Sequence, residues 1–209
     1  MIRTAREGRW FIVAALAIGV VLLIFWDWWW ALLWLPVAVW VVAFFRDPVR
    51  EGKRGEKLVI APADGKIVSL LQIHEPAFYQ AQATRISIFM NVFDCHVNRY
   101  PSSGTITYRH YNPGRFLNAA AEKASLENEQ SSVGLTTAHG KVLVRQIAGL
   151  IARRIVTDHE EGREVKQGER MGMIRFGSRV DLFLPPTAKF LVKEGDRTVA
   201  GVTVIAEWA

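Results

Sequence analysis

The sequence predicts a mainly β protein: a β-sandwich or barrel-like domain preceded by a hydrophobic helical hairpin. Three observations predict it. Two uncharged apolar runs lie within the first 45 residues. Beyond Leu58 the apolar residues alternate with polar ones in short runs punctuated by Gly, Pro and Asn, the period of strands and not of helices. A short pattern also recurs, VKQGERMG at 165–172 and VKEGDRTVAG at 192–201, each reading as a strand, a Gly-centred turn and a second strand.

The hairpin comes first along the chain. Phe11–Trp26 and Trp28–Phe45 are separated only by Asp27, and the first 45 residues hold seven of the eight tryptophans. At about 1.5 Å per residue each run spans roughly 24–27 Å, slightly short of a typical hydrocarbon core. A tight hairpin places Asp27 and the tryptophans at the far interface, where indole rings prefer to sit. Arg3, Arg6 and Arg9 precede the first run, and Arg46, Arg50, Lys53, Arg54 and Lys57 follow the second. By the positive-inside rule both ends are cytoplasmic, which puts the remainder of the chain on the cytoplasmic side of the cell membrane. No small-residue cleavage site separates the runs, so a signal peptide fits less well. The alternative is a monotopic hairpin that dips into one leaflet, suggested by the short runs and Pro36. Residues 1–45 are thus expected to be a membrane anchor, 46–57 a basic linker drawn to an anionic leaflet, and 58–209 the folded domain.

The strands follow in order. LVIAPADGKIVSLLQI, RISIFMNVFDCHVNRY, SGTITYRHY, GKVLVRQI and RVDLFLP read as strands with turn signals between them. FLNAAAEKASLENEQ reads as loop with a little helix, and LIARRIVTDH is ambiguous between a short helix and a strand. The recurring strand, turn and strand are similar to the hairpins of sandwich-type barrels related to lipoyl and biotinyl carriers. The carrier lysine is not where such a module needs it, so this lipoyl-like repeat speaks to fold alone.

Composition and spacing exclude several function classes. A single cysteine, Cys95, rules out an intramolecular disulfide framework. The formal charge of +6 could suit nucleic acid, but no nucleic-acid-binding motif is present and the aromatics are not interleaved with basic residues. His74, His96, His110, His139 and His159 are scattered, without metal-ligand spacing. A Cys95–His96 dyad fits poorly, because neighbours on a strand face opposite ways. Three stretches carry a different chemistry. APADG at 61–65 puts Asp64 in a tight turn, MNVFDCHVNRYPSSG at 90–104 carries His96, and RFGSRVDLFLP at 175–185 carries Ser178. An acid, an imidazole and a hydroxyl on separate elements are the components of an activated serine.

With these stretches the chain resembles the phosphatidylserine decarboxylase proenzymes, in the short form of that family, over essentially all of residues 46–209. FGS at 176–178 resembles the family's Gly-Ser self-cleavage site, and APADG, HVNRYP, LENEQ and QIAGLIARRI fall in the expected order. One position departs. Longer members carry two histidines three residues apart in the segment similar to HVNRYP, whereas here His96 takes the first place and Arg99 the second.

The resemblance implies that Ser178 attacks the carbonyl of Gly177, that the chain splits between them, and that Ser178 becomes a pyruvoyl group. It implies two chains held as a heterodimer, β 1–177 and α 178–209, and no metal. The substrate is then phosphatidylserine and the product phosphatidylethanolamine. His96 is the expected general acid, Asp64 orients or assists it, and Arg99 assists or touches substrate. The anchor fits a substrate that stays in an anionic membrane. Two alternatives remain at this point: a pyruvoyl enzyme for another serine phospholipid, and a non-catalytic membrane-tethered β adaptor in which Ser178 is a turn residue.

Overall fold

In the computed structural model, residues 3–114, 128–149, 154–175 and 178–209 are described. The chain divides into two compact units, Met1–Val49 with Phe93–Cys95, and Arg50–Val92 with His96–Ala209.

The first unit is helical. A 3-10 turn, Arg6–Gly8, leads into α1 (Arg9–Phe25), and α2 (Trp28–Phe44) follows after the extended pair Trp26 and Asp27. Arg6–Phe25 is long and apolar enough to cross a bilayer, while α2 is shorter. Both helices are apolar all round, and large side chains such as Leu23, Trp26 and Leu33 stand exposed, as suits a lipid surround better than water. Trp34 Nε1 donates to the Ala15 carbonyl at 2.7 Å and ties the helices together. At the open end Gly8 is required sterically: a Cβ there would sit 2.2 Å from Phe45 Cγ. The segment Phe93–Cys95 joins this unit through Arg46, whose Nη2 donates to the Phe93 carbonyl at 2.9 Å and whose own carbonyl lies 3.3 Å from Cys95 Sγ.

The second unit is built from fourteen short strands among the described residues: β1 (Leu58–Ile60), β2 (Gly65–Glu75), β3 (Ala81–Met90), β4 (Val97–Arg99), β5 (Gly104–Asn112), β6 (Gln130–Thr137), β7 (Gly140–Ala148), β8 (Arg154–Thr157), β9 (Glu164–Val165), β10 (Arg170–Arg175), β11 (Ser178–Leu184), β12 (Lys189–Phe190), β13 (Arg197–Thr198) and β14 (Val204–Glu207). They form an eight-stranded sheet of order β13-β2-β3-β11-β7-β6-β5-β9, curled into a half-barrel, and two three-stranded sheets, β1-β14-β12 and β4-β10-β8. The strand β11 runs between β3 and β7 and is buried along its whole length. Val180, Leu182 and Leu184 enter the main core on one face, while Phe183 packs with Phe78, Ala83 and Leu143 on the other. Arg179 and Asp181 share that second face and satisfy each other in two hydrogen bonds of 2.8 and 2.9 Å. The alternating polar residues of this strand are therefore a buried ion pair and not a solvated face.

Several sequence expectations meet a finer outcome. RISIFMNVFDCHVNRY is not one strand: β3 stops at Met90 and β4 begins at Val97, with the turn-forming Asn91 and Asp94 between them. Strand alternation therefore does not govern Cys95 and His96, and both are buried. Of LIARRIVTDH, residues 150–153 lie outside the described residues and Arg154–Thr157 form strand β8, pairing with β10. Of FLNAAAEKASLENEQ, residues 116–127 lie outside the described residues, and Gln130 opens β6. The two recurring patterns form matching turns. Gly168 and Gly195 have φ of +81° and +95°. The Lys166 N–H donates to Glu169 Oε2, and the Lys193 N–H to Asp196 Oδ2, each at 2.9 Å.

Candidate active site

Antiparallel order brings distant segments to one end of the large sheet. Gly65 opens β2, Met90 closes β3, Ser178 opens β11 and Ala148 closes β7, so that Ser178 is flanked by Met90 on one side and Ala148 on the other. Asp64 immediately precedes β2 and His96 immediately precedes β4. His96 is fully buried, and its carbonyl accepts from the Ile174 N–H at 3.3 Å, on the strand β10 that leads toward Ser178. The motifs are stitched together by backbone as well. The Arg99 N–H donates to the Pro62 carbonyl at 2.9 Å, joining HVNRYP to APADG. Asn128 of LENEQ donates to the Ala148 carbonyl at 2.7 Å, and Ala148 belongs to QIAGLIARRI.

Each expected site residue has a definite place. Ser178 is fully buried, and its Oγ donates to Met90 Sδ at 3.5 Å. Gly177 lies outside the described residues. The Asp64 carboxylate accepts from Arg50 Nη2 at 2.7 Å and from the Ala200 N–H at 2.7 Å. Arg99 Nη1 donates to the Gly168 carbonyl at 3.2 Å, on the first of the matching turns. Next to it in sequence, Tyr100 is buried and bonds His159 Nδ1 at 3.2 Å. Burial, reinforced by the carboxylates of Glu169 and Asp158, raises its phenol above the ordinary value, so it stays protonated at neutral pH.

Three residues around Ser178 were not singled out from sequence. Met90 is the serine's hydrogen-bond partner, and Asn98 and Gln146 form a buried amide pair behind it, Gln146 Nε2 donating to Asn98 Oδ1 at 2.8 Å. Asn98 and Gln146 lie within HVNRYP and QIAGLIARRI, so the motifs contained them. Nothing in the pattern distinguished a buried amide from an outward-facing one.

The class these features define is a buried-serine site on a mainly β scaffold that carries an apolar helical hairpin. Comparison with known proteins narrows the class. The family described as phosphatidylserine decarboxylase matches residues 37–206. A phosphatidylserine decarboxylase proenzyme of Cereibacter sphaeroides is 48% identical over 212 residues, covering 97% of this chain and 88% of that protein. Proenzymes of the same description from Nitrosomonas eutropha (48% identical; 98% and 94% covered) and Rickettsia africae (50% identical; 81% and 75% covered) are similar to it. The chain belongs to the phosphatidylserine decarboxylase family.

Proposed function

We propose that the chain decarboxylates phosphatidylserine to phosphatidylethanolamine, and that Ser178 is the residue from which it makes the covalent pyruvoyl group its family uses. The observation that carries the assignment is the convergence on Ser178: described residues of APADG, HVNRYP, LENEQ and QIAGLIARRI, drawn from a stretch of 95 residues (155 − 61 + 1), are bonded to one another or to Met90 and Ala148, its neighbours at the sheet end where β11 begins. The position fits a small ketone, being fully buried between Met90 and Ala148.

The serine hydroxyl attacks the Gly177 carbonyl, and the amide becomes an ester. Loss of the Cα proton expels the Gly177 carboxylate and leaves a dehydroalanine at 178. Addition of water and loss of ammonia then complete the new N-terminal carbonyl. Once formed, the pyruvoyl group supplies the electron sink that decarboxylation needs and no ordinary side chain provides. His96, buried beside β10, is the general acid that returns a proton to the substrate carbon. Asp64 orients the imidazole: each of its oxygens accepts one hydrogen bond already and keeps a further acceptor site. Arg99, in the place of the long forms' second histidine, assists from the Gly168 turn.

The two product chains, 1–177 and 178–209, remain one body by this reading. The shorter contributes β11, hydrogen-bonded between β3 and β7, and β14, between β1 and β12. The matching turns at Gly168 and Gly195 favour a barrel-sandwich related to carrier modules. The apolar helices anchor the chain in the cell membrane with residues 46–209 on the cytoplasmic side, and the basic stretch 46–57 meets anionic headgroups there.

Mass spectrometry of the purified protein tests the assignment. The expected finding is a fragment of 32 residues (209 − 178 + 1) that begins with a carbonyl in place of an amine, with Ser178→Ala remaining a single inactive chain. An intact wild-type chain that nevertheless decarboxylates phosphatidylserine vesicles would refute it.

A further inference from the structure

We infer that Asn98 is a positioning residue for self-cleavage, acting on Ser178 through the sulfur of Met90 and held in its working orientation by Gln146, Thr157 and Ser131. The inference rests on Ser178 being the processed residue.

The Met90 sulfur has two donors, Ser178 Oγ at 3.5 Å and Asn98 Nδ2 at 3.7 Å. All three residues are fully buried. The amide cannot turn over without cost, because Asn98 Oδ1 accepts from Gln146 Nε2 at 2.8 Å. Gln146 is fixed in turn: its Oε1 accepts from Thr157 Oγ1 at 3.0 Å. The single hydroxyl proton of Thr157 is thereby spent, so in its 2.8 Å contact with Ser131 Oγ the threonine accepts. The chain has one polarity, from Ser131 through Thr157, Gln146 and Asn98 to Met90. Its members sit on β6, β8, β7, β4 and β3.

That path crosses between the two sheets the scissile junction connects. The strand before the junction, β10, belongs to the sheet with β4 and β8, and the strand after it, β11, belongs to the large sheet with β3, β7 and β6. Asn98 and Thr157 lie opposite Gly172 on the two sides of β10, while Met90 lies opposite Ser178. The amide chain therefore fixes the offset between the strand that precedes the scissile junction and the strand that presents the attacking hydroxyl. A thioether is a weak acceptor. It selects a rotamer of Ser178 without a strong bond that must break before attack. After cleavage residue 178 has no hydroxyl, so the Asn98 effect belongs to maturation and not to turnover.

The experiment follows maturation of the full-length, membrane-bound protein by denaturing gel in wild type, Met90→Leu, Asn98→Asp and the double variant. Met90→Leu conserves volume and removes the sulfur. It should mature roughly 10–100-fold more slowly, the usual consequence of misplacing a reacting group by a fraction of an ångström to one ångström. Asn98→Asp should do likewise, and the double variant should be no slower than the slower single, since both act through one sulfur. Hydroxylamine, which splits esters, should not accelerate Met90→Leu, because the defect precedes ester formation. Thr157→Val, which disturbs the same chain at a residue away from Ser178, should also mature more slowly and, once matured, decarboxylate within about twofold of wild type per cleaved chain, given that a positioning effect is confined to the first step. Wild-type maturation in Met90→Leu would overturn the inference. So would additive defects, release by hydroxylamine, a proportionate loss of turnover in Thr157→Val, or a large drop in melting temperature on adding Met90→Leu to Ser178→Ala. Cleavage of Ser178→Ala itself would instead overturn the assignment of the nucleophile.

Discussion

Replacing Gly65 by Ala tests whether the end of the large sheet is the self-cleavage site. Gly65 has φ +155°, and a Cβ there would lie 2.2 Å from the Phe89 carbonyl oxygen and 2.9 Å from its carbon. An ordinary carbon–oxygen contact is about 3.2 Å or more, so β2 and β3 must part by about 1 Å. Phe89 immediately precedes Met90, the partner of Ser178, and neither backbone contact is the yielding end of a flexible side chain. The strained φ alone costs about 1–3 kcal/mol. A displacement of about 1 Å at a reacting group is worth roughly 10²-fold in rate. Gly65→Ala should therefore mature about 10²-fold more slowly in a pulse-labelled gel time course, and in the Ser178→Ala background it should unfold at lower urea. Gly162→Ala is the control: its φ is +84°, but a Cβ there meets nothing within 4 Å, so it should lose stability and mature normally. If Gly65→Ala matures at the wild-type rate, or Gly162→Ala slows equally, this end of the sheet is not where cleavage occurs.

Three further predictions follow from other parts of the chain. His96→Ala, with cleavage and decarboxylation scored separately, should lose roughly 10²–10⁴-fold in turnover of matured enzyme, and slower cleavage as well if the imidazole also serves Ser178; wild-type values for both steps would remove His96 from the site. Glu75 is buried where β2 ends, and although burial raises its carboxyl, the N–H groups of Tyr79 and Phe78 and the Arg145 guanidinium outweigh that and hold it below the ordinary value. Its stabilisation is present above the unfolded carboxyl value and lost as pH falls through the lower folded one. Glu75→Gln should therefore cost about 1–3 kcal/mol at pH 7 by urea unfolding and flatten the acid limb, and an unchanged limb would contradict this. Protease added outside spheroplasts should leave residues 46–209 intact, whereas digestion without permeabilisation would reverse the topology.

What the sequence made legible was governed by period and by local chemistry. The alternation in GKVLVRQI and RVDLFLP announced strands, and the recurrence of VKQGERMG and VKEGDRTVAG announced two Gly-centred turns; that the same side chain to backbone bond closes both is a finding of the structure. Register was not legible, because it depends on partners far along the chain. Gln146 and Asn98 look like the polar alternates of half-exposed strands, yet pairing between β7 and β11 and between β4 and β10 buries both completely. Arg179 and Asp181 mislead in the same way: two charges at alternate positions suggest a solvated face, and the coverage of both sides of β11 makes them a buried pair. The break between Met90 and Val97 was hidden by hydrophobic Val92 and Phe93, which continued the strand pattern through a turn.

Self-processing makes opposite demands on one position, and the neighbours of Ser178 meet both. Before cleavage residue 178 must hold a hydroxyl against its own backbone, which calls for an acceptor that orients without binding tightly. Afterwards the same site must house a methyl ketone with no hydroxyl, where a strong polar partner would be left buried and unsatisfied at a cost of about 1–3 kcal/mol. A carboxylate at position 90 would serve the first state and leave a buried charge, held only by the Asn98 amide, in the second. Leucine would leave the hydroxyl of the first without an acceptor, and the Asn98 amide without one in both. Methionine serves both, since its sulfur accepts weakly and packs as an apolar, polarisable atom. The amide of Asn98 then takes up the part that changes: with the serine hydroxyl gone, the sulfur keeps a donor, and no buried polar group in the chain from Ser131 to Met90 loses its partner.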